Sequence, residues 1–166
     1  MSFSGPLVGF TRPSKKIESI NKRSAAQDHK VKIAKENPQA DDMVSFAKTL
    51  IGTPYLYASV DPSKGFDCSG FINYVLHHFG IKCPRSSYEF ANAGVTIDQS
   101  NAKPGDLILF TGTDTTNRQI GHIGMVTEND NGNIQFIHSS SGHSKGVTLS
   151  NLEGYYETRF VKIVRV

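Results

Sequence analysis

From Asp41 onward the apolar positions Met43, Phe46, Ala47, Leu50 and Ile51 recur at steps of three and four, the spacing that lines one face of a helix. Asp41 and Asp42 suit its first turn and Gly52 its stop. A loop holding Gly52, Pro54, Pro62 and Gly65 leads to a second helical stretch whose core-facing residues are Phe71, Ile72, Val75, Leu76 and Phe79, ended by Gly80. A shorter helix is predicted over 87–93, capped by Ser86 or Ser87 ahead of Glu89. Beyond it the period becomes that of strands, at 106–110 after the turn Lys103-Pro104-Gly105, then at 122–128, 134–138, 147–149 and 160–164. Asn131-Gly132 marks a hairpin. Helices followed by an antiparallel meander predict an α+β domain with the N-terminal helices packed on one face of the sheet.

Residues 1–37 are polar and weakly periodic, which predicts an arm with one short helix within 15–35 and a folded body over 38–166. Charge sharpens that division. The net charge is +3, but residues 1–40 hold eight Lys/Arg against three Asp/Glu, leaving the remainder slightly acidic. A basic head suits a solvated arm or a tether to an anionic membrane or wall polymer. It does not suit a nucleic-acid reader, because its only aromatics are Phe3 and Phe10. No apolar run nears the roughly 18 residues that span a bilayer, and no secretory signal is legible at the start. The body is long enough to bury a core as a monomer, with neither metal nor disulfide.

Cys68 stands between Gly65-Phe66-Asp67 and the second helix, so its sulfur belongs at a helix start. Unpaired N–H groups and the helix dipole favour thiolate there and are expected to lower the thiol pKa. Cys83 lies beyond the helix, roughly 16 Å away at 1.5 Å per residue, too far for a disulfide. A nucleophilic cysteine needs a base and a group that orients it; His122 and His138, on neighbouring strands, are the candidates. Gly121 and Gly124 beside His122 leave room for another chain or a substrate. A two-residue loop at Asn131-Gly132 would set His122 opposite Ser141 and send His138 to the other face. An odd-numbered loop sets His122 opposite Ser140 with His138 its diagonal neighbour on the same face, and this loop is expected. His77, His78 and His143 lack such partners. A zinc site built from Cys68, His122 and His138 is the alternative use of the same trio, without the compact ligand pairs zinc sites favour.

Six segments occur in order: Gly52-Thr53-Pro54-Tyr55, Asp67-Cys68-Ser69-Gly70-Phe71, Pro84-Arg85-Ser86-Ser87, Lys103-Pro104-Gly105-Asp106-Leu107, Gly121-His122-Ile123-Gly124-Met125-Val126 and Phe136-Ile137-His138. Together they resemble the NlpC/P60 family of cell-wall cysteine peptidases over roughly 41–166. The resemblance implies a papain-like fold and no cofactor, with Cys68 as nucleophile, His122 as general base and His138 as its orienter. It also implies Tyr55 beside the oxyanion, and Asp67, Ser69 and Ser87 as substrate-binding residues. The implied partner is a peptidoglycan stem peptide cut at an amide bond, D-glutamyl-diaminopimelate first. The alternatives are a D,D-endopeptidase of cross-links, an acyltransferase on the same scaffold, and a non-catalytic wall-binding module. The implied place is the periplasm or cell envelope. Many relatives carry paired glycines where this chain has Tyr57-Ala58-Ser59, a difference in the pocket wall.

Overall fold

A computed structural model describes residues 38–166 apart from Thr115. The arm expected over 1–37, with its short helix, lies outside the described residues. Helix α1 (Pro38–Thr49) buries Ala40, Met43, Val44 and Ala47. Ile51, expected on that face, is 48% exposed. The helix has ended by then, and tighter i to i−3 bonds from Leu50 and Ile51 to Ala47 and Lys48 turn the chain off the buried stripe.

The stretch read as a loop contains a small hairpin, β1 (Val60–Asp61) with β2 (Gly65–Phe66), which delivers the buried Phe66 ring beside Phe71 and Tyr74. Ala58 there adopts a left-handed φ of 59°, a conformation glycine tolerates better. Helix α2 (Cys68–His78) follows, burying Phe71, Ile72, Val75 and Leu76 as its spacing predicts. The helix expected over 87–93 is a single 3-10 turn, Glu89–Asn92, because Phe90 alone is buried there and little holds a longer helix in place. Half of its predicted cap forms, the Ser86 N–H donating to the Glu89 carboxylate at 3.1 Å.

Strands β3 (Val95–Ile97), β4 (Leu107–Thr111), β5 (Ile120–Asp130), β6 (Asn133–Ser140), β7 (Gly146–Asn151) and β8 (Phe160–Arg165) form one antiparallel sheet ordered β3-β8-β4-β5-β6-β7. β4 to β7 are the predicted meander. β8 does not extend it: the chain turns through α3 (Tyr155–Arg159) and inserts β8 between β3 and β4, where Arg165 forks onto the buried Asp106 at 2.7 and 2.8 Å. β4 is thereby paired on both edges and buried on both faces, which explains its unbroken apolar run. Leu107, Leu109, Ile123, Met125 and Ile137 pack with α1 and α2. Ile108, Phe110, Val126, Phe136 and Ile163 form a second cluster with Tyr156 of α3.

The β5–β6 hairpin corrects one expectation. Its loop is the two-residue Asn131-Gly132, with φ of 51° and 97°, so Asp130 pairs with Asn133. A bulge between Val126 and Glu128 then slips the register by one, pairing Val126 with Phe136 and Met125 with Ile137. The two histidines consequently share a face, through a bulge in mid-strand where the sequence reading placed an odd-numbered loop.

Candidate active site

Asp67 caps α2, its carboxylate accepting from the Gly70 N–H at 2.6 Å, and so fixes where the helix begins. Gly70 permits the close approach of this turn to the preceding loop. A Cβ there would lie 2.1 Å from the Ser59 carbonyl oxygen. The Cys68 sulfur emerges at the first residue of the helix, 3.9 Å from the Gly121 carbonyl oxygen, and the Ile123 N–H also faces it. It therefore lies against the β5 backbone on both sides of His122. Cys83 is a separate free thiol, accepting from Asn73 Nδ2 at 3.2 Å.

His122 Nε2 lies 2.8 Å from His138 Nδ1, and His138 Nε2 lies 3.0 Å from Ser150 Oγ and 3.4 Å from the Tyr156 hydroxyl. One assignment of protons satisfies the chain: His122 Nε2–H donates to His138 Nδ1, His138 Nε2–H donates to Ser150, and His122 Nδ1 is left as a free base. Phe110, Phe136 and Tyr156 surround the two rings at centroid distances of 4.9–6.5 Å. The 2.8 Å separation fits a hydrogen bond between rings; two nitrogens on one tetrahedral zinc would stand about 3.3 Å apart. Gly124 is needed for this contact, since a Cβ there would lie 2.8 Å from Phe136 and 3.3 Å from the His138 Cβ. The room it leaves is thus filled by β6. Gly121 is likewise crowded, by Gly112.

The cleft, of about 650 Å³, is lined by Tyr55, Cys68 and His122, by the 140–144 loop, and on the α3 side by Tyr155, Tyr156 and Arg159. That is room for a short peptide. Asp67, Ser69 and Ser87 are outside its lining. Asp67 already holds a cation: Arg85 forks onto both carboxylate oxygens at 3.1 and 2.6 Å and also donates to Ser69 Oγ at 2.9 Å. Arg85 lies within the segment Pro84-Arg85-Ser86-Ser87, where nothing local assigns it a task. Its signal was the acidic residue beside the cysteine, which needs a partner once it is 8% exposed.

The thiol departs from expectation in direction. Burial and then the Asp67 charge push the Cys68 pKa up, outweighing the N–H groups of Ser69 and Ile123 that stabilise the thiolate. His122 is held well below the ordinary imidazole value by burial, His138 and Arg159, and His138 is lowered to about 4 by burial and Arg159. All three shifts favour the uncharged thiol and the uncharged imidazoles. A stability consequence follows. The unfolded chain protonates His138 near pH 6.5 and the fold only near about 4, so stability is lost as pH falls through that window, by about 3 kcal/mol once the pH is below both values. Urea melts at pH 7.5 and 4.5 should show a smaller acid loss for His138→Gln than for the wild type; equal losses would contradict the buried neutral ring.

A helix-start cysteine and two hydrogen-bonded histidines on the strands of an antiparallel sheet define a papain-like α+β domain. The family model described as "NlpC/P60 family" matches residues 52–165. The gamma-DL-glutamyl hydrolase of Bacillus subtilis (strain 168) is 36% identical over 137 residues, covering 81% of this chain and 31% of that protein. The murein DD-endopeptidase MepS/murein LD-carboxypeptidase of Escherichia coli (strain K12) is 38% identical over 105 residues, 62% of this chain and 50% of its own length. A crystal structure of a NlpC/P60 family protein from Bacillus cereus ATCC 10987 superposes with a TM-score of 0.67 at 30% identity, over 76% of this chain and 39% of that one. The chain belongs to the NlpC/P60 family. It spans half or less of the length of the two curated relatives named above.

Proposed function

We propose that the chain is a cysteine peptidase that hydrolyses an amide bond of peptidoglycan stem peptides, with Cys68 as nucleophile, His122 as general base and His138 as the residue that orients it. The observation that carries this reading is the 2.8 Å contact between His122 Nε2 and His138 Nδ1, in a cleft that the helix-start Cys68 also lines; with Nε2 donating to His138, Nδ1 of His122 is the free base. In the first step the sulfur bonds to the carbonyl carbon as its proton passes to His122 Nδ1. Because burial raises the thiol pKa and lowers that of His122, the uncharged pair is favoured over the ion pair, and transfer and attack proceed together. N–H groups at the start of α2 and the Tyr55 hydroxyl hold the oxyanion; Tyr55 lines the cleft, and burial, with the nearby Asp67 carboxylate, raises its pKa and keeps the hydroxyl a donor. The C–N bond breaks as His122 returns the proton to the leaving amine. Water then attacks the thioester, giving a proton to His122, and the C–S bond breaks to restore the thiol.

Asp67 and Ser69 act here through Arg85, which ties them together beside the nucleophile, and Ser87 follows that arginine in the same segment. Residues 38–166 form the catalytic domain, 1–37 its tether, and the cell envelope is where its substrate lies. The D-glutamyl-diaminopimelate bond is the first assignment. Cleavage of D,D cross-links is the second, favoured by the name of the Escherichia coli relative. Timed digestion of purified peptidoglycan, with the newly freed amino group identified, separates them: the first frees the α-amine of diaminopimelate, the second its side-chain amine. Release of neither would overturn the function proposed.

A further inference from the structure

Arg159 is 8% exposed and lines the cleft that holds Cys68 and His122. One terminal nitrogen donates to the Thr111 carbonyl at 2.6 Å and the other to the Tyr155 hydroxyl, and the guanidinium carbon lies 4.7 Å from the centre of the Tyr155 ring. No carboxylate pairs with it among the described residues, whereas Arg85 and Arg165 each have one. Its Nε is the one buried side-chain nitrogen or oxygen among those residues with no hydrogen-bond partner. Every other lining residue is neutral or a titrating Cys, His or Tyr, so Arg159 supplies the cleft's permanent charge.

A buried guanidinium without a counter-charge is costly, and unused N–H donors add to the cost. It also opposes an imidazolium, since its charge helps hold His122 and His138 below their ordinary pKa. An anion arriving in the cleft would supply the missing counter-charge and, through the same charge, favour the imidazolium. Resting on the peptidase reading above, we propose that the α3 side of the cleft is a carboxylate subsite, in which Arg159, backed by the Tyr155 hydroxyl, receives a carboxylate carried by the stem peptide beside the scissile bond. The planar guanidinium offers the paired donors that a carboxylate accepts. The carboxylate comes from the glutamyl α-carboxyl, from the peptide's C-terminus or from the side chain of its diamino acid.

The test uses the full chain and four synthetic stem peptides: one with all three carboxylates free, and three in which each carboxylate in turn is amidated. The expected result is a kcat/KM at least about 10-fold lower on one amidated peptide, which names the source. Arg159→Met should lose a similar factor on the free peptide and no longer distinguish the two, while Arg159→Lys keeps part of the preference. Loss of a purely structural arginine would lower all four rates together. Wild-type rates within twofold on all four, or an undiminished preference in Arg159→Met, overturn the subsite. If Arg159→Met does not fold, the wild type and Arg159→Lys decide. If the wild type cleaves none of the peptides, the peptidase reading fails separately, and titration of the Cys68→Ala chain with the same four peptides still tests the subsite. Binding at least about 10-fold tighter to the free peptide supports it, and equal binding refutes it.

Discussion

Replacing Cys68 by alanine is expected to lower turnover of a stem peptide by about 10⁴-fold or more while moving the urea midpoint little. The sulfur is the only atom lost, and it lies half-buried at a cleft wall where its absence opens little internal space. The start of α2 does not depend on it, since the cap comes from Asp67 and the tight turn from Gly70. Single-turnover assays with melts on the same preparation separate lost chemistry from lost fold. Turnover that survives in Cys68→Ala would remove the nucleophile from the account. Cys68→Ser should behave almost as badly, because a hydroxyl is far harder than a thiol for a neutral imidazole to deprotonate.

His122→Ala carries the second largest expected loss, about 10³-fold or more in kcat/KM, and its pH profile is the more telling measurement. With the base removed, the nucleophile must come from ionisation of the thiol by itself, which burial and Asp67 place above the ordinary range. Residual activity should therefore rise with pH up to and beyond about 9, while the wild type levels off at far lower pH once His122 is neutral. Adding Cys68→Ala to His122→Ala should cost little more than Cys68→Ala alone, since the two residues act as one unit. A variant profile parallel to that of the wild type would show that His122 is not the proton acceptor.

The elements that carry this chemistry differ in how far each was visible in the order of residues. Helix α2 and its cysteine were legible because the signals are local: a capping aspartate, an apolar stripe at helical spacing and a glycine stop. β4 was legible as an unbroken apolar run. The helix over 87–93 was over-read, since local propensity could not reveal that Phe90 alone would be buried. Pairing of the histidines was anticipated for the wrong reason. Asn131-Gly132 does form the tight turn its residues favour, and the shift that brings the rings together comes from a bulge near Thr127 that no local signal announces. Arg85 and Arg159 escaped notice because an arginine's task depends on what lies across from it, 18 residues back for the Asp67 pair and 48 back for the Thr111 carbonyl.

By itself the chain order determined the kinds of element, the helix-start cysteine, the pair of histidines and the family motifs, all of which depend on spacing within a few residues. Only the tertiary structure decided that β8 runs between β3 and β4, that Asp67 is held by Arg85, that an uncompensated arginine faces the cleft, and that the thiol pKa moves up while the imidazole values move down. Those outcomes depend on burial and on charges brought close from distant parts of the chain. Desolvation and Coulomb forces act through space, so their sign at Cys68 could not be read until its neighbours were in place.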